Sequence, residues 1–97
     1  MTYIRIKERV IFDKVDKQLR KVPKYVQEKL RAWADAVEEE GLSETRKIPG
    51  YHDEPLKGDR EGQRSIRLTK SYRATYTEER NGIINLVVLE EVNKHEY

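Results

Sequence analysis

Glu54, Lys57, Arg64, Arg67 and Arg73, together with His95 and Tyr97 at the end of the chain, are the side chains whose types combine into a reagent. Between them they supply a carboxylate, several permanent cations, an imidazole and a phenol. Splitting RNA without a metal needs such a set. A base takes the proton of a ribose 2′-hydroxyl, cations stabilise the charge that builds on the phosphorus, and an acid protonates the departing 5′ oxygen. Arginine does not lose its proton in proteins, so the proton transfers fall to Glu54 and His95, one taking and the other giving. Guanidinium forks match phosphate and stay charged at any physiological pH. No cofactor is implied, and metal ligation is disfavoured: the two histidines, His52 and His95, stand in no HxxxH or HExxH spacing, and there is no cysteine. Taken singly, a glutamate before a proline and a histidine near a terminus are ordinary solvated residues. The set acts only if the fold gathers it.

The stretch from Glu54 to Tyr76 carries most of it. Its first half, LKGDREGQRS, has two glycines, several charges and almost no apolar residues, which predicts an exposed loop. The second half alternates. Ile66, Leu68, Tyr72, Ala74 and Tyr76 suit one face of a pair of strands, while Arg64 or Ser65, Arg67, Thr69 and Arg73 suit a wet one.

Composition bounds what can hold these residues. The 97 residues make one domain, 1–97, because a chain of this length buries one core. Apolar residues are 36% and charged residues 39%, yet the apolar ones are periodic, which predicts a small core under a heavily charged surface. The formal net charge of +2 conceals segregation, with acid gathered at Glu38 to Glu40 and base over Arg60 to Arg73. Lack of cysteine excludes a disulfide framework. No apolar run reaches the length of a membrane span and the N-terminus lacks the apolar core of a signal peptide, so a soluble cytoplasmic protein is expected.

In chain order, residues 3–12 read as a strand, and Asp13 as the N-cap of a short helix with Val15, Leu19 and Val22 on its apolar stripe. Pro23 ends that helix and suits the start of a second one. There Val26, Leu30, Trp33, Ala34 and Val37 share one face before Gly41. Ser43 suits the cap of one further turn over 44–47. Asn81 and Gly82 signal a tight hairpin into Ile83 to Val92, a β-branched run suited to a central strand. The predicted fold class is α+β: an N-terminal strand, two helices, then a three-stranded antiparallel meander forming a curved sheet with the helices packed on one face. Such curvature would bring His95 and Tyr97 beside the arginines.

EPLKG at 54–58, the SIRL and YRATY segments, and the terminal NKHEY resemble the RelE/ParE superfamily of bacterial type II toxins, especially its YoeB-like and HigB-like messenger-RNA interferases. The resemblance as a whole spans residues 9–97, with these segments in order over 54–97. The resemblance implies a RelE-like fold and a ribosome-dependent endoribonuclease that enters the vacant A site, cuts messenger RNA there and is silenced by a cognate antitoxin. It implies Glu54 as base, Arg67 and Arg73 as the cations on the phosphate, with Lys57 and Arg64 as further phosphate contacts. His95 would be the acid and Tyr97 the residue that stacks on or orients the base. One departure is local: Glu96 separates His95 from Tyr97, which are adjacent in the YoeB-like ending. The alternatives within the same scaffold are a gyrase-inhibiting toxin of the ParE branch and a member that only binds nucleic acid or a partner.

Overall fold

Five apolar side chains at helical spacing organise the computed structural model, which describes residues 7–94. Val26, Leu30, Trp33, Ala34 and Val37 are all buried along helix α2 (Lys24–Glu40), as their period requires. Pro23 precedes the helix, and its carbonyl accepts from the Val26 and Gln27 amides at 3.0 and 3.2 Å. At the other end Gly41 takes φ 95°, a conformation that disfavours any side chain, and the chain turns into α3 (Leu42–Thr45).

The buried stripe packs against one face of a five-stranded sheet. Its strands are β1 (Lys7–Ile11), β2 (Glu54–Pro55), β3 (Arg64–Arg67), β4 (Tyr72–Asn81) and β5 (Ile84–Lys94), in spatial order β1-β5-β4-β3-β2. β1 runs parallel to β5, and the other neighbours are antiparallel. Parallel pairing demands a long crossover, and the helices lie within it. Ile66, Ala74, Tyr76, Val87 and Leu89 join the helix residues in one core. Within it Trp33 tilts against Tyr76, with ring centroids 5.3 Å apart.

The α+β class, the helices on one face and the hairpin stand as expected, but several details differ. The sheet has five strands because Glu54 and Pro55, expected in an open loop, pair with Ser65 and Arg64. Among the described residues there are three helices where two and one further turn were expected. The first is a 3-10 turn over Asp13–Val15 that continues into α1 (Asp16–Leu19), and no side chain caps it. Asp13 falls inside the first turn instead of ahead of it. Nor does Ser43 cap α3, which starts one residue earlier. Its first amide, of Leu42, donates instead to Glu8 Oε1 at 2.7 Å, a carboxylate reaching over from β1. In the hairpin Asn81 pairs with Ile84, so the loop is Gly82 and Ile83, with Gly82 at φ 63° in the first central position.

Two features shape the sheet. Register slips between Thr75, opposite Glu91, and Tyr76, opposite Leu89, leaving Glu90 as an extra residue. This bulge bends β5, and it lets Leu89 and Val92 both face the core while Glu90 and Glu91 turn outward. Side chains also blunt the sheet's open edge: Glu38 Oε2 accepts from the Val10 amide at 2.9 Å, and Gln18 Oε1 from the Val92 amide at 2.8 Å.

Removal of the indole at the centre of this packing should be severe. Trp33→Ala is expected to cost about 3–5 kcal/mol, read as a lowered urea midpoint. A loss below about 1 kcal/mol, the range of surface substitutions, would show that α2 does not carry the core.

Candidate functional site

Period-two alternation puts Ile66, Ala74 and Tyr76 into the core and their neighbours on the opposite side of the sheet, away from the helices. Cross-strand pairing then sets out two rows on that side. One runs Glu54, Ser65, Thr75, Glu91 across four strands, and the next runs Arg67, Arg73, Asn93. The open choice between Arg64 and Ser65 is thereby decided for Ser65.

Arg67 and Arg73 stand directly opposite each other, an arrangement of like charges that favours an anion between or beside them. Arg73 Nη1 donates to Ser65 Oγ at 3.0 Å, and among the described residues no carboxylate lies within ion-pair reach of it. Glu54 is exposed and in register with Ser65. A carboxylate and two guanidinium groups thus share one open surface, with a hydroxyl fixed among them. Lys57, exposed, leads into the 3-10 turn Gly58–Arg60 that borders this face. His95 and Tyr97 lie outside the described residues; β5 delivers the chain as far as Lys94, in register with Tyr72 beside Arg73.

Arg64 belongs elsewhere. It lies in register with Tyr76, on the core side, and its Nε donates to Asp53 Oδ1 at 2.6 Å. The Asp53 side chain is 1% exposed, so its carboxylate must be matched within the protein. Tyr76 donates to Asp53 Oδ2 at 2.5 Å, and Arg46 lies 3.9 Å from the same oxygen. Arg46 also donates to the Tyr76 hydroxyl at 3.2 Å and to Glu78 at 2.6 Å. A cleft of about 410 Å³ opens beside this group, lined in part by Arg46, Arg64, Tyr76 and Glu78. Asp53 directly precedes Glu54, so the network anchors the segment that presents Glu54. Just before it His52 holds φ 44°, a left-handed conformation costly for a residue with a side chain and sustained here by its surroundings. Sequence patterning offered no sign of Asp53, because a single buried carboxylate in a turn has no period.

Charge states follow from these contacts. Burial, then the bond to Asp53, holds the Tyr76 phenol well above its ordinary value. Burial pushes the Glu78 carboxyl upward, but donation from Asn85 and Arg46 outweighs it and the net shift is down. The Lys14 ammonium, 2.8 Å away, is the main cause that lowers Glu90.

No protein-family model matches the chain, and no curated protein matches it in sequence. Solved structures do match in shape. The toxin–antitoxin complex RelBE2 from Mycobacterium tuberculosis superposes with a TM-score of 0.63 at 19% identity, over 95% of this chain and 100% of that one. A YoeB/ParE toxin from Agrobacterium tumefaciens gives 0.60 at 20% identity, over 93% and 99%. The DinJ–YafQ toxin–antitoxin complex of E. coli gives 0.57 at 17% identity, over 95% and 94%. The chain therefore has the fold seen in RelE/YoeB-like toxins of toxin–antitoxin systems.

Two outcomes test the electrostatics. Asp53→Ala leaves two arginines without their buried partner and should cost about 3–5 kcal/mol, with Tyr76→Phe at about 1–3 kcal/mol. If urea titration finds Asp53→Ala within error of wild type, Asp53 is no anchor. The second concerns pH. Glu78 and Glu90 ionise more readily when folded, so what they contribute is complete above the ordinary value of 4.5 and drains as pH falls through their lower folded values. The urea midpoint should hold near neutrality and decline in acid, with Glu78→Gln reducing that decline. An unchanged acid slope in the variant would remove Glu78 from the account.

Proposed function

We propose that this chain, built on the fold of the RelE/YoeB-like toxins, is the toxin of a type II toxin–antitoxin module and acts as a metal-independent endoribonuclease on messenger RNA in the ribosomal A site. The observation that carries the reading is the shared surface: Glu54 in register with Ser65, whose hydroxyl receives Arg73, and Arg73 opposite Arg67. On this reading Glu54 takes the proton of the 2′-hydroxyl and the 2′ oxygen attacks phosphorus. Arg67 and Arg73 stabilise the charge gathering on the phosphoryl oxygens. The 5′ oxygen leaves with a proton from His95, which gives a 2′,3′-cyclic phosphate and a free 5′-hydroxyl. Tyr97 stacks on or orients the base, and Lys57 adds a phosphate contact at the border. Arg64 serves Asp53 instead of RNA.

Because arginine holds its charge at every accessible pH, the phosphate grip does not titrate. Proton transfer alone sets the pH dependence. An antitoxin encoded beside the chain is the expected partner; RelBE2 and DinJ–YafQ, which share the fold, are toxin–antitoxin complexes.

On ribosomes programmed with a defined codon in the A site, Arg73→Ala should lose about 10²–10³-fold in cleavage rate and Glu54→Gln about 10²–10⁴-fold. Arg73→Ala should stay within about 1 kcal/mol of wild-type stability. His95→Ala should abolish the cut sites mapped on messenger RNA after brief induction. Undiminished cleavage by Arg73→Ala would overturn the site, and DNA damage in place of translation arrest would move the chain to the gyrase-inhibiting alternative.

A further inference from the structure

Arg60 and Glu91 form a contact that neither the core nor the proposed chemistry requires. Arg60 belongs to the turn between β2 and β3, at the far side of the sheet, whereas Glu91 is on β5, two strands beyond β3. Arg60 Nη2 nevertheless reaches Glu91 Oε2 at 2.5 Å, while its Nε donates to Gln63 Oε1 at 3.2 Å. The side chain must therefore cross the outer face over the row formed by Ser65 and Thr75. Both residues are buried even though, among the described residues, α2 packs on the opposite side of the sheet. Thr75 Oγ1 is closed off from solvent and has no hydrogen-bond partner among the described residues. A buried hydroxyl in that state is uncommon and calls for an explanation.

Glu91 is placed there by the bulge. With Glu90 as the extra residue, Glu90 and Glu91 both turn outward, and Glu90 is taken by Lys14 and Thr77. Glu91 Oε2 accepts from Asn93 Nδ2 at 3.1 Å as well as from Arg60. One carboxylate oxygen thus gathers a guanidinium and an amide donor, as a phosphate oxygen would. The pair is 44% and 39% exposed, so it is open to competition from solution.

We infer that Arg60, Asn93 and Thr75 form a second phosphate subsite, for the phosphodiester next to the scissile one, and that Glu91 occupies it as an internal anion until RNA displaces it. The inference rests on the reading that this face receives RNA. Thr75 lies one row from Arg73 on β4, so the subsite adjoins the proposed reaction centre without sharing its proton-transfer groups. Entry of a phosphate transfers Arg60 from Glu91 to the ligand and gives the Thr75 hydroxyl an acceptor. Glu91, left without its cation, lowers affinity for weakly bound anions. It thereby acts as a threshold on the surface.

The test is binding to programmed ribosomes whose A-site codon carries 2′-O-methyl riboses, which blocks attack by the 2′ oxygen. Glu91→Gln should tighten binding about 2- to 5-fold, the range an exposed ion pair can withhold. Arg60→Ala should weaken binding and flatten the salt dependence by about 0.7 in the log–log slope, one phosphate contact. In the Arg60→Ala background Glu91→Gln should bring no further gain. Glu40→Gln, an exposed carboxylate on α2, controls for general charge and should leave affinity unchanged. Wild-type binding with no gain in Glu91→Gln, or an equal gain without Arg60, overturns the subsite and leaves the nuclease reading intact. Failure of the wild type to bind overturns both.

Discussion

A carboxylate with 1% of its side chain exposed sits where the outer strands meet the core, and the site depends on it being matched. Asp53 is held by a phenol at 2.5 Å, a guanidinium at 2.6 Å and a second guanidinium at 3.9 Å. Ion pairs of this kind add little net stability over a well-packed apolar substitute, but removing one partner strands the others in a medium that solvates them poorly. The arrangement thus acts as a lock. It joins Arg46 beyond α3, Tyr76 on β4 and Arg64 on β3 to the residue before Glu54. β2 has only two residues and could not hold its register by backbone pairing alone. The lock makes that short pairing sufficient.

The sheet divides the molecule by sign of solvation. Its inner face meets α2 through apolar side chains, and its outer face gathers guanidinium, carboxylate and hydroxyl groups. Arg73 finds a neutral hydroxyl, whereas Arg46, Arg60 and Arg64 are each engaged by a carboxylate. A net charge of only +2 is therefore a poor guide to the local field. Which guanidinium groups meet a buried carboxylate and which stand on the outer face is set by what lies opposite them in register.

Likeness of shape over nearly the whole chain persists here at 17–20% identity, which the constraints above make intelligible. A helix stripe, a central β5 and a meander can be met by many apolar combinations at the right period. A shared fold does not by itself carry a shared activity, so the proposed chemistry rests on a handful of outer-face positions.

The sequence alone determined what depends on local periodicity. The stripe on α2, the inward set of Ile66, Leu68, Ala74 and Tyr76, the hairpin at Asn81 and Gly82, and the outward Arg67 and Arg73 all follow from a 3.6 or 2.0 repeat or from turn chemistry. Tertiary structure alone decided what depends on register between distant segments. A one-residue choice separated Arg64 from Ser65, and pairing with Glu54 and Pro55 resolved it. Glu8 capping α3, Asp53 gathering its donors and Glu90 bulging so that Glu91 meets Arg60 each join residues 11 to 34 positions apart, or turn on one inserted residue. Alternation reveals that a strand has two faces. Which residue occupies which face depends on the partner strand, because a shift of one position exchanges every side chain at once.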